Sequence, residues 1–189
     1  VKLMFYKNFN LFLGDDFMKI LINGINANLR FSSAHLIPSH ETCGFIHGHS
    51  YFVDVEIEGE RAGEFQFVVD FKDVKNSLRS ICDSLDHRLL VPVFNKHISF
   101  KDIPDNEKSV EKLQKEKNLQ FKIGDKGYTI PTVDCVLLPL PTSSAEDLAK
   151  FFADKLSEDL KDKGYDTLSS LSACVNEGIG QGALYQKEF

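Results

Sequence analysis

Residues 47–60 read HGHSYFVDVEIEGE, and no other stretch limits the fold so tightly. His47, His49, Tyr51, Val53, Val55 and Ile57 fall on one side of a period-two pattern, and Asp54, Glu56 and Glu58 on the other. Successive side chains of an extended strand point to opposite faces. This is therefore a half-buried strand whose inward face runs from apolar residues into two imidazoles. The preceding stretch 19–35, KILINGINANLRFSSAH, alternates through Ile20, Ile22, Leu29 and Phe31 and is read as one long strand. Between them, LIPSHETCGF carries Pro, Ser, Thr and Gly and reads as a loop. The two strands are expected to pair antiparallel across it.

That pairing bears on the histidines. The chain has six in 189 residues, and His35, His40, His47 and His49 lie within fifteen positions. H-G-H puts two imidazoles on one sheet face, about 6–7 Å apart along the strand. Gly48 leaves the other face open. His35 ends the neighbouring strand and can be brought alongside. Three histidines with an open coordination position make the pattern of a catalytic zinc site. Cys43, in the connecting loop, can serve as a fourth ligand, a nucleophile or a base, because a neighbouring cation favours its thiolate. His40 and Glu41 are read as solvated loop residues.

Downstream, EFQFVVDF reads as a short strand. A helix follows, with its stripe at Phe71, Val74, Leu78, Ile81 and Leu85. At its end, LDHR sets Asp86 beside His87, a pair that can polarise an imidazole or simply suit a helix C-terminus. A second helix begins at PTSSAED, with Ser143 or Ser144 as cap and Leu148, Phe152, Leu156 and Leu160 as its stripe. Gly164 stops it. Two strands, TLSSLSACVNE and GALYQKEF, close the chain. Glu177, at the end of the first, is a carboxylate able to accept two N–H donors from a guanidine-like edge. Residues 92–141 exceed any ordinary helix-to-helix connection. They read as an insertion with its own structure: a charged helix, a hairpin turning at Gly124–Gly127, and an extended piece at VDCVLLPLP.

The length fits one domain, 1–189, carrying that insertion and an N-terminal extension at 1–17. The formal charge of −6 excludes broad nucleic-acid binding, which needs clustered Lys and Arg. Cys43, Cys82, Cys135 and Cys174 form no C-x-x-C and read as reduced thiols of a cytoplasmic protein. No run reaches the roughly 18 apolar residues that cross a bilayer. The N-terminal stretch is cut by Lys7, Asp15 and Asp16 and lacks a small-residue cleavage site, so neither a membrane anchor nor a signal peptide is expected.

Together, FSSAH, CGFIHGHS, SLDHR, PTSSAEDLAKF and VNEG occur in an order that resembles the 6-pyruvoyl-tetrahydropterin synthase and 6-carboxy-tetrahydropterin synthase family, over about residues 19–91 and 139–187. The resemblance implies the α+β tunnelling fold: a four-stranded antiparallel sheet with two helices on one face, here with an inserted segment between the helices. It implies homo-oligomers, typically hexamers built as a dimer of trimers, with active sites between subunits. It further implies Zn2+ on His35, His47 and His49, and Cys43 as the proton-abstracting base. Asp86 and His87 would complete the proton relay, and Glu177 would anchor the pterin. Thr142, Ser143 and Ser144 are candidates for pterin contact, and Arg30 and Arg88 for the triphosphate. The implied substrate is dihydroneopterin triphosphate. The carboxy branch, which loses triphosphate and acetaldehyde on the way to 7-deazaguanines, is preferred to the pyruvoyl branch. An inactive pterin-binding member is a further alternative. The insertion and the N-terminal extension depart from compact family members.

Overall fold

The strand expected at 47–60 is β3 (His47–Glu60) of the computed structural model, which describes residues 17–189. The expected extension, save Phe17, lies outside the described residues. From Tyr51 to Gly59 the odd-numbered positions of β3 are buried and the even ones half-exposed, as the alternation requires. The stretch expected to be one strand is two, β1 (Phe17–Ile22) and β2 (Arg30–His35). Both lie along the same edge of β3: Ile22 opposes Val55 and Arg30 opposes Phe52. Residues 23–29 thus span a gap that two residues bridge on β3. The excursion presses against its partner so closely that a Cβ on Gly24 would stand 2.4 Å from the Val53 carbonyl oxygen. The period-two signal survives on both sides of the excursion, which is why it reads as continuous.

After β3, EFQFVVDF is not a strand. A single bridge joins Ala62 to Phe67 around a turn with left-handed residues at Gly63 and Gln66. Val68 and Val69 then plug the core, and Asp70 caps α1 (Phe71–Leu85) by accepting from the Lys72 amide at 2.7 Å. The helix α3 (Ala145–Asp162) starts at Ser144, whose hydroxyl accepts from the Asp147 amide, and stops before Gly164 at φ +85°. Its expected stripe, Leu148, Phe152, Leu156 and Leu160, is wholly buried. Each such side chain contributes on the order of 1.5–3 kcal/mol through lost contact with water. α1 packs on β2 and on α3, and α3 covers β9 (Leu168–Glu177) and β10 (Gly182–Glu188).

The segment between the helices supplies β4 (Leu89–Pro92), β5 (Ser99–Phe100), α2 (Glu107–Gln114), β6 (Asn118–Ile123), β7 (Lys126–Pro131) and β8 (Cys135–Leu138). Among the described residues the main sheet therefore has seven strands, not four. Its order is β10-β9-β3-β2-β4-β8, with β1 also on β3, and the β2–β4 and β4–β8 pairings are parallel. The expected hairpin is β6–β7, turning at Gly124–Asp125 with Gly127 already in β7. With β5 it forms a separate three-stranded sheet.

Two hydrophobic cores result. One lies between the main sheet and the α1–α3 layer. The other gathers Val91, Phe100, Leu119 and Phe121 around Leu36, which directly follows β2 and is fully buried. Leu36→Ala is expected to cost about 2–5 kcal/mol by leaving a cavity in the second core, measurable by denaturant unfolding.

Candidate metal centre

The inward face of β3 carries Tyr51, Val53 and Val55 under the helices. His47 and His49 continue that face toward the end of the sheet, where α3 is only beginning. Antiparallel pairing sets His35 directly opposite His47, and Glu177 of β9 opposite Tyr51. Residues that oppose one another share a face. Three imidazoles and one carboxylate are thereby gathered at one end of the core.

The ring centroids stand 4.5 Å apart for His35–His47 and 5.1 Å for each of the other two pairs. One ring nitrogen from each residue lies within 4.8 Å of the others. Backbone carbonyls orient two of the rings. His35 Nδ1 donates to the Ser143 oxygen at 2.7 Å, and His47 Nδ1 donates to the Phe45 oxygen at 2.8 Å. With hydrogen on Nδ1, each neutral ring turns the Nε2 lone pair inward. These two Nε2 atoms are 3.0 Å apart. A tetrahedral ion with nitrogens at about 2.0–2.1 Å separates its ligands by about 3.3 Å. Two inward lone pairs repel unless a cation lies between them, so the donor set fits a metal ion. The carbonyls play the orienting role that such sites require.

His35 is 2% exposed. Burial pushes it down to about 4, with repulsion from His47 and His49 adding to the effect and the bond to Ser143 opposing it. Its ring is therefore neutral well below neutral pH, as a metal-binding imidazole must be. Glu177 places one oxygen 3.9 Å from His35 Nε2 and the other 3.9 Å from His49 Nε2. At that distance from a neutral His35 it is a neighbour rather than an ion-pair partner.

A cavity of about 730 Å³ opens over the cluster. Its walls include the three histidines, Cys43, Ser144, Glu146, Glu177 and Gln181. Of the three hydroxyl residues singled out in the sequence, Ser144 alone lines it. Thr142 bonds Asp147 through both its amide and its hydroxyl. Ser143 is fully buried, its hydroxyl donating to the Leu36 oxygen at 3.0 Å, and its contribution is the carbonyl that holds His35. Sequence reasoning passed over that carbonyl, and also Glu146 and Gln181. The capping pattern at PTSSAED was the available signal, since it fixes where α3 starts but not what that start touches. His40, read as a solvated loop residue, also reaches this cavity and bonds its own loop.

Asp86 and His87 lie elsewhere. They line a second cavity of about 420 Å³ with Arg30, Ser32 and Arg79. Asp86 accepts from the Ser32 amide at 2.7 Å and, through its other oxygen, from His87 Nδ1 at 2.7 Å. Those bonds, the Ser32 one foremost, hold its carboxyl below the usual range. His87 sits at φ +56° with most of its ring in solvent. Within one chain the pair does not meet the histidine cluster.

Among the described residues no helix is long and apolar enough to cross a membrane. A family model described as 6-pyruvoyl tetrahydropterin synthase matches residues 24–188. The chain is 46% identical over 170 residues to a Methanocaldococcus jannaschii protein provisionally named 6-carboxy-5,6,7,8-tetrahydropterin synthase, covering 90% of this chain and 97% of that one. It is 32% identical over 123 residues to the 6-carboxy-5,6,7,8-tetrahydropterin synthase of Aquifex aeolicus, covering 65% and 61%. The crystal structure of 6-pyruvoyl tetrahydropterin synthase from Plasmodium vivax superposes with a TM-score of 0.78 at 22% identity, covering 93% of this chain and all of that one. At that identity the likeness establishes the fold, the α+β tunnelling fold.

A fall in pH protonates unfolded His35, with its ordinary value near 6.5, before it protonates the buried ring at about 4. The unfolded state then holds the extra proton, and folding loses stability as pH falls through that window. For metal-free protein the His35 contribution is expected to drop by about 2 kcal/mol between pH 7 and pH 5. Denaturant unfolding of the wild type should show this slope, and His35→Asn should lack it.

Proposed function

Because the chain belongs to the 6-pyruvoyl tetrahydropterin synthase family, we propose that it is a zinc-dependent 6-carboxy-5,6,7,8-tetrahydropterin synthase. It takes 7,8-dihydroneopterin triphosphate and one water to 6-carboxytetrahydropterin, triphosphate and acetaldehyde. One observation carries the reading: three imidazoles converge on one point in the wall of the cavity that also holds a cysteine and a carboxylate. The names of the relatives favour the carboxy product. The description of the family model favours the pyruvoyl product as the runner-up.

His35, His47 and His49 would hold the ion, which would supply Lewis acidity to the reaction when bound. The remaining work falls to protein groups. The Glu177 carboxylate offers two acceptor oxygens to paired N–H donors on the pterin edge, fixing which substrate carbon faces Cys43. The Cys43 sulfur takes and returns a proton. Asp86 fixes the His87 tautomer with hydrogen on Nδ1, leaving Nε2 to exchange a second proton.

The separation of Asp86 and His87 from the cluster supports assembly. The chain works as a homo-oligomer, a hexamer built as a dimer of trimers, in which the Asp86–His87 surface of one subunit completes the metal cavity of the next.

Removing zinc with chelator should abolish turnover, and added zinc should restore it. Cys43→Ala should cut turnover by at least about 10²-fold while zinc stoichiometry, measured by elemental analysis, stays constant. Mass spectrometry of the product with an aldehyde assay separates the two branches, since only the carboxy branch releases acetaldehyde. Co-refolding inactive Cys43→Ala with inactive His87→Ala should regain activity, because mixed oligomers build some sites from two intact contributions. No recovery across mixing ratios would mean that each chain carries a whole site.

A further inference from the structure

The loop between β2 and β3 contains a ring nitrogen doing the work of a helix cap. Ser39 adopts φ +67°, turning the chain so that His40 opens a tight turn. The Gly44 amide donates to the His40 carbonyl at 3.1 Å, closing one helix-like turn over residues 40–44. The approach is so close that a Cβ on Gly44 would lie 2.3 Å from that oxygen. Within the turn, His40 Nδ1 accepts from the Cys43 amide at 3.0 Å and from the Thr42 amide at 3.3 Å. These amides are two and three residues onward, the pair that a Ser, Asn or Asp cap satisfies. The Thr42 hydroxyl lies 3.3 Å from the same nitrogen and 3.7 Å from Cys43 Sγ. The Cys43 carbonyl in turn accepts from the Ile37 amide at 2.7 Å, tying the turn to the chain two residues past His35.

We propose that His40 is a positioning residue for Cys43: its Nδ1 caps the turn and fixes the thiol in the wall of the metal cavity. The role requires a neutral ring with hydrogen on Nε2, the opposite tautomer to that of His35 and His47. It does not require an imidazole as such. Asn carries an acceptor oxygen at the same distance along the side chain as Nδ1, so Asn can replace His40 and Ala cannot. The proposal rests on the reading of Cys43 as the proton-carrying thiol, but the geometry it asserts can be measured without turnover.

The test compares zinc-loaded wild type, His40→Ala and His40→Asn. In resting protein, His40→Ala should raise amide exchange at Thr42 and Cys43 about tenfold and alkylation of Cys43 by iodoacetamide, read by peptide mass spectrometry, about threefold. His40→Asn should return both to within about twofold of wild type, with zinc stoichiometry equal in all three. With dihydroneopterin triphosphate, kcat should fall about tenfold in the Ala variant and recover in the Asn variant, with KM little changed. Unchanged exchange and alkylation in His40→Ala would overturn the proposal. So would an Asn variant as impaired as Ala, which would mean that the ring itself takes part in the chemistry. An inactive wild type would instead count against the enzymatic reading, leaving exchange and alkylation to decide the role of His40.

Discussion

The register between β2 and β3 is the constraint on which the site rests. It sets His35 across from His47 and, through the same alternation, keeps Phe31, Tyr51 and Val53 in the core. A slip of one residue would turn every inward side chain of β3 outward and bring Asp54 and Glu56 into the apolar layer. The histidine cluster therefore inherits its precision from the core: the burial energy of the apolar positions pins the strand that carries His47 and His49. Phe31 stacks on Tyr51 with ring centroids 4.7 Å apart, and Tyr51 meets the edges of His35 and His49, so the packing runs without a break into the ligand rings.

Much of this was legible because period-two alternation reports directly which side chains share a face. His47, His49 and the core positions of β3 needed no other information. The stripe of α3 was equally plain, and that of α1 too save for Phe71, which is exposed, while the cap was narrowed only to Ser143 or Ser144. The excursion at 23–29 was hidden because alternation resumes after it, although its phase flips, from even inward positions at Ile20 and Ile22 to odd ones at Phe31, Ser33 and His35. The parallel pairings of β4 and β8 were hidden for another reason. LLVP and CVLL are short apolar runs, and their partners lie more than forty residues apart. Ser143 shows the limit most clearly. Its side chain drew notice as a hydroxyl, yet its carbonyl makes the contact that matters, and every residue type has a carbonyl.

The site also divides its chemistry between local and distant parts of the chain. Cys43, His47 and His49 come from one loop and its flanking strand, so their relative placement follows from a few local hydrogen bonds. Asp86 and His87 stand at the far end of α1, on a different cavity, where their bonds to Ser32 and to each other are already satisfied. The pair is thus held in place on an open surface, which is what the proposed inter-subunit site asks of it.

Leu36 belongs to the core built from the inserted segment, while its neighbour His35 belongs to the core under the helices. Adjacent residues, the last of β2 and the one after it, thus root the two cores. The second core packs directly against the backbone beside His35. Contacts at this junction link the local stability of one core to that of the other. An appendage joined in this way acts as a buttress, backing the strand end that carries His35 with packing from Leu89 to Leu137.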